Sequence, residues 1–579
     1  MKQFSIYTMI VLALAMAFMT TSCSKKGSDF LDKTESGTIN EAITFADSIR
    51  TMEFLNGIYQ GLQNNYKQTY LTNYGSMADC VDEGEVMWTG AANYPVPINQ
   101  GNLSATYAWV SGAWSHWFSR IRNSNIYLKN VTKSPLSAEM RTRTSGEARF
   151  LRAWYYHQLV RFFGGVPLLG DTTFTPDELV SMPRNTLEES IAYIVSELDA
   201  VAQLLPADMP GIDYGRVTRG AALALKARTL LYAASPLMNG GYDGQKGFEA
   251  APERKVLVSY ASYDANRWKV AADAFKAVID LNKYSLYEDN TTAPGYGFYK
   301  MFHQRVNSEA IFQMMDPPNT RLEGMWLPPT RGGQGASYPG QQLVDAFPMK
   351  DGKAITDAAS GYNPANPYVD RDPRFYYTVL YNGALFRGTS TVTQSPVYTY
   401  FGAPTDGMGV SSYTTRTGYY CRKMLNNEGT GNTQRCMPEI RYAEVLLSYA
   451  EALNEFSGPS QPVYDAVNAI RRRAGLSPFE LPAGLTKESM REAIRTERRI
   501  ELAYENQRYF DVRRWKIAHD PEVVILRGIK WTKDGSNYKR EDIVADPRAF
   551  NHPAMYYFPI PATEMGRQPK FFQNPGYLQ

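Results

Sequence analysis

The stretch Arg441–Glu455, RYAEVLLSYAEALNE, decides how the chain is read. Leu446, Tyr449, Ala450 and Leu453 recur at three- and four-residue intervals and, with Phe456, mark one face of a helix. Arg441, Glu444, Ser448 and Glu451 fall opposite, so the spacing predicts an amphipathic helix over 439–456. Outward from it, the same period predicts helices near 45–62, 107–130, 138–163, 187–204, 219–234, 265–281, 463–474 and 487–504. Small residues stand beside large ones at helical spacing, as in Ala148/Leu151/Tyr155 and Ala224/Ala227/Leu231. That alternation lets paired helices approach closely, as in tetratricopeptide repeats, although the repeat consensus itself is absent. From about Tyr284 to Cys436 the texture changes to Gly, Pro, Tyr, Thr and Asn, with short apolar runs at 310–315 and 343–347. A long irregular insert between helix pairs is where a binding face is expected. The expected fold is mostly α, a tetratricopeptide-like scaffold with a loop-rich, variable ligand-binding region. Its boundaries are a scaffold over 41–284, an insert over 285–436, and C-terminal helices with an extended tail over 437–579.

The 579 residues can bury a large core. Lys+Arg is 61 against Asp+Glu 58, which leaves a net charge of +3 and sets nucleic acid aside. The outlying feature is 40 Tyr and 9 Trp, residues that join an apolar face to a polar tip. At the N-terminus, Lys2 precedes an apolar run from Ile6 to Met19, then Thr20, Thr21, Ser22 and Cys23. The run is shorter than the roughly 20 residues of a spanning helix and fits a secretory signal over 1–22. Cys23 after small residues reads as a lipobox cysteine, acylated at the new N-terminus, with a tether over 23–40; Thr20 stands where most lipoboxes carry Leu. Acyl chains there would hold the protein at a membrane. Outside the cytoplasm disulfides are permitted, and Cys421 and Cys436 flank a Gly/Asn-rich turn, so a local bridge is one option.

Glu497, Glu501 and Glu505 lie on one helix flank, with Arg498, Arg499, Arg508, Arg513 and Arg514 nearby to pair with them. Carboxyls stacked on one helix cannot flank a sugar bond, so they read as a structural ion network and not as a hydrolase dyad. His116, His157, His303, His519 and His552 show no metal-ligand spacing, and no GxSxG elbow occurs. Neither catalytic residues nor a metal or cofactor is expected. Sugar rings stack on Trp and Tyr while their hydroxyls bond Asn, Asp, Gln or Arg. Three loops offer such sets. The first holds Asp82, Glu83, Trp88, Asn93 and Tyr94; the second surrounds Tyr296 and Tyr299; the third holds Asn319, Arg321, Trp326, Arg331, Gln334 and Tyr338. The ligand contacts expected are Trp88, Asn93, Tyr94, Tyr296, Asn319, Trp326, Arg331 and Tyr338. Trp109, Trp114, Trp117 and Trp154 lie on helix patterns and are assigned to packing.

Several segments in fixed order carry a family resemblance. They are FLDK (Phe30–Lys33), EARFLRAWYYHQLVRFFGGVPL (Glu147–Leu168), LVDAFPMKDG (Leu343–Gly352), the Arg441–Glu455 stretch, AVNAIRRRAGL (Ala466–Leu476), ERRIELAYENQRYFDVRRW (Glu497–Trp515) and YFPIPATEMGRQPKFFQNPGY (Tyr557–Tyr577). Together they resemble the SusD/RagB family over nearly the whole mature chain. The resemblance implies a surface lipoprotein of the outer membrane that binds oligosaccharides, less often peptides, and caps a SusC-like TonB-dependent transporter. It also implies that the loop carrying Trp88 belongs to the ligand arc. A surface hydrolase is the competing class, disfavoured by the missing constellation.

Overall fold

A computed structural model of the chain describes residues 40–62, 76–87, 95–174, 182–241 and 251–578. The signal, Cys23 and nearly all of the tether lie outside them. Six helices form the first part of the scaffold: α1 (Ser48–Tyr59), α2 (Ala108–Asn130), α3 (Ala138–Phe163), α4 (Leu187–Leu204), α5 (Arg219–Ala234) and α6 (Asn266–Ile279). Their starts are set locally. Asp47, Ser137, Thr218 and, further on, Thr486 each accept a first-turn backbone N–H, and Thr186 with Glu189 closes a capping box. The short helices α7 (Tyr296–Lys300), α8 (Arg321–Trp326) and α9 (Pro373–Thr378) belong to the insert. The scaffold resumes with α10 (Tyr442–Ser457), α11 (Gln461–Arg473), α12 (Lys487–Glu501) and α13 (Arg508–Arg514).

Each scaffold helix packs on the next, from α2 through α6. After the insert, α10 docks directly on α6 and carries α11 and α12. The helical-repeat expectation therefore holds, with the insert leaving and rejoining one continuous stack. The small residues do what their spacing implies: Ala148, Ala224 and Ala227 are buried with Leu151, Tyr155 and Leu231. Among the described residues no helix is long and apolar enough to cross a membrane.

Three expectations change. The helix predicted from 439 begins at Tyr442, because Met437–Arg441 is a strand paired antiparallel with Ala310–Met314. Its polar face is not solvated, since Glu444, Ser448 and Glu451 are buried while Phe456 on the apolar face is exposed. The helix predicted to 504 stops at Glu501, and Tyr504 and Asn506 turn the chain with φ of 60° and 58°.

The insert is loop-rich, as expected, and short strands tie its loops together. Its strands pair antiparallel with one another and with flanking segments: β1 (Gly84–Val86) with β3 (Ser337–Pro339), β2 (Ala310–Met314) with β8 (Met437–Arg441), β4 (Val379–Leu380) with β7 (Tyr420–Cys421), and β5 (Ala384–Arg387) with β6 (Gln394–Val397). The hairpin β9 (Leu526–Asp534) and β10 (Asn537–Asp546) packs beside them. A second apolar core joins Trp326, Tyr338, Phe347, Phe375, Tyr420 and Trp531. Cys421 and Cys436 are buried free thiols, without the bridge considered from the turn between them.

A buried lattice of charges joins insert to scaffold. Arg441 reaches Glu309 at 2.7 Å, Glu501 at 2.8 Å and Glu505 at 2.6 Å. Arg473 bonds Glu309 at 2.8 Å and also Glu501. Arg374 reaches Asp372 at 2.7 Å, Glu497 at 2.5 Å and Glu501 at 3.0 Å. Lys423 bonds Glu505 at 2.6 Å, and Arg471 lies 3.6 Å from Glu497. The glutamates thus pair with arginines from distant segments, and the sequence neighbours engage elsewhere: Arg498 with Asp511, Arg499 and Arg508 with Asp82, Arg514 with Asp511 and Glu451. Burial opposes ionisation of Glu501, but Arg473, Arg441, Arg374 and Lys423 outweigh it and hold its carboxyl well below the usual 4.5.

Glu501→Gln leaves those cations short of a buried carboxylate, and we expect it to cost on the order of 3–5 kcal/mol, read as a lower denaturation midpoint. Because the carboxyl is depressed from 4.5, its contribution is present above that pH and is lost as pH falls below it. An unchanged midpoint at neutral pH would remove the lattice from the forces that hold the insert.

Candidate functional site

Tyr296 opens α7 and is half-buried. Its hydroxyl donates to Glu428, which also pairs with Lys300 at 2.6 Å. Burial and then the Glu428 charge push the Tyr296 phenol upward, so it stays a donor. Its ring centroid lies 5.7 Å from Tyr299, and Tyr299 stacks on Tyr377 at 5.4 Å with 20° between planes. Tyr376 and Tyr377 line an open cavity of about 600 Å³ with Pro294, Lys350, Asp370 and Ser477. Lys350 and Asp370 pair at 2.9 Å with both ends exposed. Such a pair is weak, so both ends are available to the hydroxyls of a ligand.

The wall is held from behind. Asp372 caps α9 by accepting the N–H of Arg374, and Pro373 stands at the first helical turn. Arg374 then anchors α9 in the ion lattice. Arg371 is buried and donates to the carbonyls of Pro367, Val344 and Phe347, which fixes the loop carrying Asp370. At the floor, Gly295 and Gly475 meet with φ of 68° and 80°. A Cβ on Gly475 would lie 2.7 Å from the Gly295 nitrogen, so the seam between insert and scaffold needs both glycines.

Trp88, Asn93 and Tyr94 lie outside the described residues. Of the remaining expected contacts, Tyr296 lies near this cavity, two residues from Pro294 and joined to Tyr377 through Tyr299, but does not line it. Asn319 spends its side chain on its own turn, donating to Pro317 O and accepting from Arg321 N. Trp326 is 1% exposed and packs edge-on against Tyr504, and Tyr338 is 0% exposed within β3 beside Tyr420. Arg331 is 9% exposed and donates to Ser395 and Pro396 carbonyls. These three side chains are turned inward because the insert has its own core to fill. The helix tryptophans Trp114, Trp117 and Trp154 are buried, as their pattern implies.

Tyr376 and Tyr377 went unread in the sequence. The signal was Asp372–Pro373 ahead of adjacent tyrosines, which starts a short helix presenting neighbouring rings. His519 and His552, far apart in the chain, stack at 4.7 Å. Among the described residues no group of three or more His, Cys, Asp or Glu side chains could hold a metal ion. Glu497, Glu501 and Glu505 are buried and ion-paired, closed to a substrate in this conformation.

Comparison with known proteins places the chain. The profile of the SusD family matches residues 264–577, and one described as "Starch-binding associating with outer membrane" matches residues 29–231. The chain belongs to the SusD family. SusD-like protein P2 of Formosa agariphila is 25% identical over 515 residues, covering 87% of this chain and 86% of that protein. A SusD-like protein of Bacteroides fragilis superposes with a TM-score of 0.75 at 26% identity, over 92% of this chain and 98% of that one. A SusD-like carbohydrate binding protein of the same organism superposes with a TM-score of 0.73 at 27% identity, over 91% of this chain and 99% of that one.

The segment leading toward Trp88 is held by buried carboxylates. Asp79 accepts from Ser337 at 2.5 Å, Asp82 bonds Arg508 at 2.9 Å, and Glu85 bonds Arg548 at 2.7 Å. Glu83 accepts the Tyr504 N–H at 3.4 Å, and its Oε2 has no hydrogen-bond partner among the described residues. Burial, and then the charge of Asp82, push its carboxyl up to about 8 against the pull of Arg508, Arg499 and Lys423. A raised carboxyl favours folding below its unfolded value and loses that contribution as pH climbs from 4.5 to about 8. Melting curves of Glu83→Gln against the parent should therefore shift in favour of the variant across that interval. A difference independent of pH would mean that Glu83 is ionised in the folded protein.

Proposed function

We propose that the protein is a lipid-anchored, outer-membrane glycan-binding protein that captures oligosaccharides without cleaving them and passes them to a SusC-like TonB-dependent transporter. The observation that carries the reading is the cavity beside Tyr296, Tyr376 and Tyr377 in a chain of the SusD family. Its aromatic faces suit the C–H faces of sugar rings, and Lys350, Asp370 and Ser477 supply bonds to hydroxyls. Related proteins described as carbohydrate binding, and a family profile described as associating with the outer membrane, support the ligand class and the location. The family resemblance assigns the loop of Trp88, Asn93 and Tyr94 to ligand contact as well. Cys23 carries the lipid, and the partner barrel supplies the passage that an anchored binding protein lacks.

Calorimetric titration with oligosaccharide and peptide panels tests the ligand class. Tyr377→Ala and Trp88→Ala should each weaken oligosaccharide binding by on the order of 1–3 kcal/mol, roughly 5- to 150-fold, with Glu501→Gln leaving affinity intact in the folded fraction. Binding confined to the peptide panel would transfer the site to peptides, and turnover abolished by one carboxylate change would make the protein an enzyme. Cys23→Ala should end palmitate labelling and release the protein from membranes. Mild extraction of the parent should co-purify a large β-barrel protein in near-equal amount; recovery of the chain alone would break the transporter assignment.

A further inference from the structure

The insert and the C-terminal hairpin together carry a second aromatic surface that shares no residue with the Tyr377 cavity. After β6 the chain continues extended: Thr399 is buried, Tyr398 is exposed, and Tyr400 is half-buried with part of its ring against the second core. Tyr398 is 44% exposed and Tyr538 on β10 is 36% exposed, with Tyr400 between them. Ring centroids step 5.9 Å from Tyr398 to Tyr400 and 5.5 Å from Tyr400 to Tyr538, at interplanar angles of 60° and 43°. The three rings thus form a twisted row and not a flat plate. Their backbone is fixed. Asn382 Oδ1 accepts the N–H groups of Thr399 and Tyr400 at 3.0 and 3.2 Å, and Phe401 N–H donates to Trp531 O at 2.7 Å. Tyr538 sits opposite Lys533 in the hairpin register, beside the tight turn at Gly535.

Charge distinguishes this row from the cavity. Within the hairpin, Lys530 pairs with Glu541 at 3.1 Å and Arg540 with Asp542 at 2.8 Å. Lys533 has no carboxylate partner among the described residues, and its ammonium lies 5.7 Å from the Tyr400 ring centroid. A cation left unpaired beside a row of exposed rings asks for a ligand with flat apolar faces and a negative substituent. A peptide or membrane surface would call for a continuous aliphatic patch. Here every ring of the row carries a hydroxyl tip, and the steps match the repeat of sugar rings along a twisted polysaccharide. We propose that Tyr398, Tyr400, Tyr538 and Lys533 form a second binding site, for an acidic polysaccharide bearing uronate or sulfate groups. Rings take the sugar faces, and Lys533 takes the acid group.

The test is native affinity electrophoresis of the full-length protein in mild nonionic detergent. Gels carry polygalacturonate, alginate or chondroitin sulfate as acidic probes, with starch and xylan as neutral ones. At least one acidic polymer should retard the protein, and added salt should relieve the effect because the pairing is exposed. Lys533→Gln and Tyr400→Ala should each weaken that retardation at least 5-fold in protein that melting curves show to be folded, whereas Tyr377→Ala should leave it intact. Retardation by no acidic polymer overturns the proposal, as does full retention in both ledge variants. Loss in Tyr377→Ala would assign the binding to the cavity instead. If Tyr400→Ala kept glycan retention but lost a co-purifying membrane protein, the row would be a protein-docking surface. Neutral-sugar binding that depends on Tyr377 bears only on the cavity, so the two sites fail separately.

Discussion

The buried ion lattice around Glu501 is the constraint on which the rest of the structure depends. The insert leaves the helix stack after Ile279 and returns only at Met437. Two apolar surfaces meeting over that distance could slide by a turn at little cost. A lattice cannot, because any shift leaves a bare charge in a low-dielectric interior. Glu309, Asp372, Arg374 and Lys423 come from the insert, whereas Arg441, Arg471, Arg473, Glu497, Glu501 and Glu505 come from the seam and the closing helices. Positive and negative members balance, so the lattice locks register more than it adds net stability. Arg374 ties the lattice to the candidate site, since it lies on the same short helix as Tyr376 and Tyr377.

The stack was legible because helical period is written locally. Leu446, Tyr449, Ala450 and Leu453 announce a helix whatever lies beyond it. The solvated or buried state of the opposite face is not local. Glu444 and Glu451 are inside because Arg228 and Arg514 arrive from remote helices, and no spacing within α10 records that. The same holds for the Glu497–Glu505 flank. An ion network was readable, but the nearby Arg498 and Arg499 project to other sides of α12 and meet Asp511 and Asp82. The end of that helix was hidden as well, since Tyr504 takes up a left-handed conformation without a glycine to signal it.

The site was half legible. Composition marked the insert as rich in aromatics, but it cannot say which rings face inward. Trp326 and Tyr338 look like loop residues in a Gly-rich stretch, yet α8 and the β1–β3 pair carry them into the second core. Tyr296 remains half-buried at the start of α7, its hydroxyl tied to Glu428. Tyr377 stayed at the surface because Phe375 takes the inward position on α9 and leaves the next residues outside.

The abundance of tyrosine has a cause in the irregular backbone. Short strands and turns leave carbonyl groups without ladder partners, and a buried carbonyl needs a donor. Tyrosine fills apolar volume and brings that donor. Tyr155 bonds Ile58 O at 2.6 Å, Tyr557 bonds Val258 O at 2.6 Å, Tyr420 bonds Asp406 O at 2.8 Å, and Tyr376 bonds Tyr368 O at 2.7 Å. Phenylalanine in these places would keep the packing and strand the carbonyl, at a cost of about 1–3 kcal/mol each. These tyrosines are therefore explained by the fold before any ligand is considered. The residues proposed for binding are different: their rings stay at the surface although their backbone is pinned, Tyr377 at the cavity with Tyr296 nearby, and Tyr398 and Tyr538 in the second aromatic row. Rigid presentation of a half-exposed ring, more than aromatic content, is what sets the proposed binding residues apart from the packing ones.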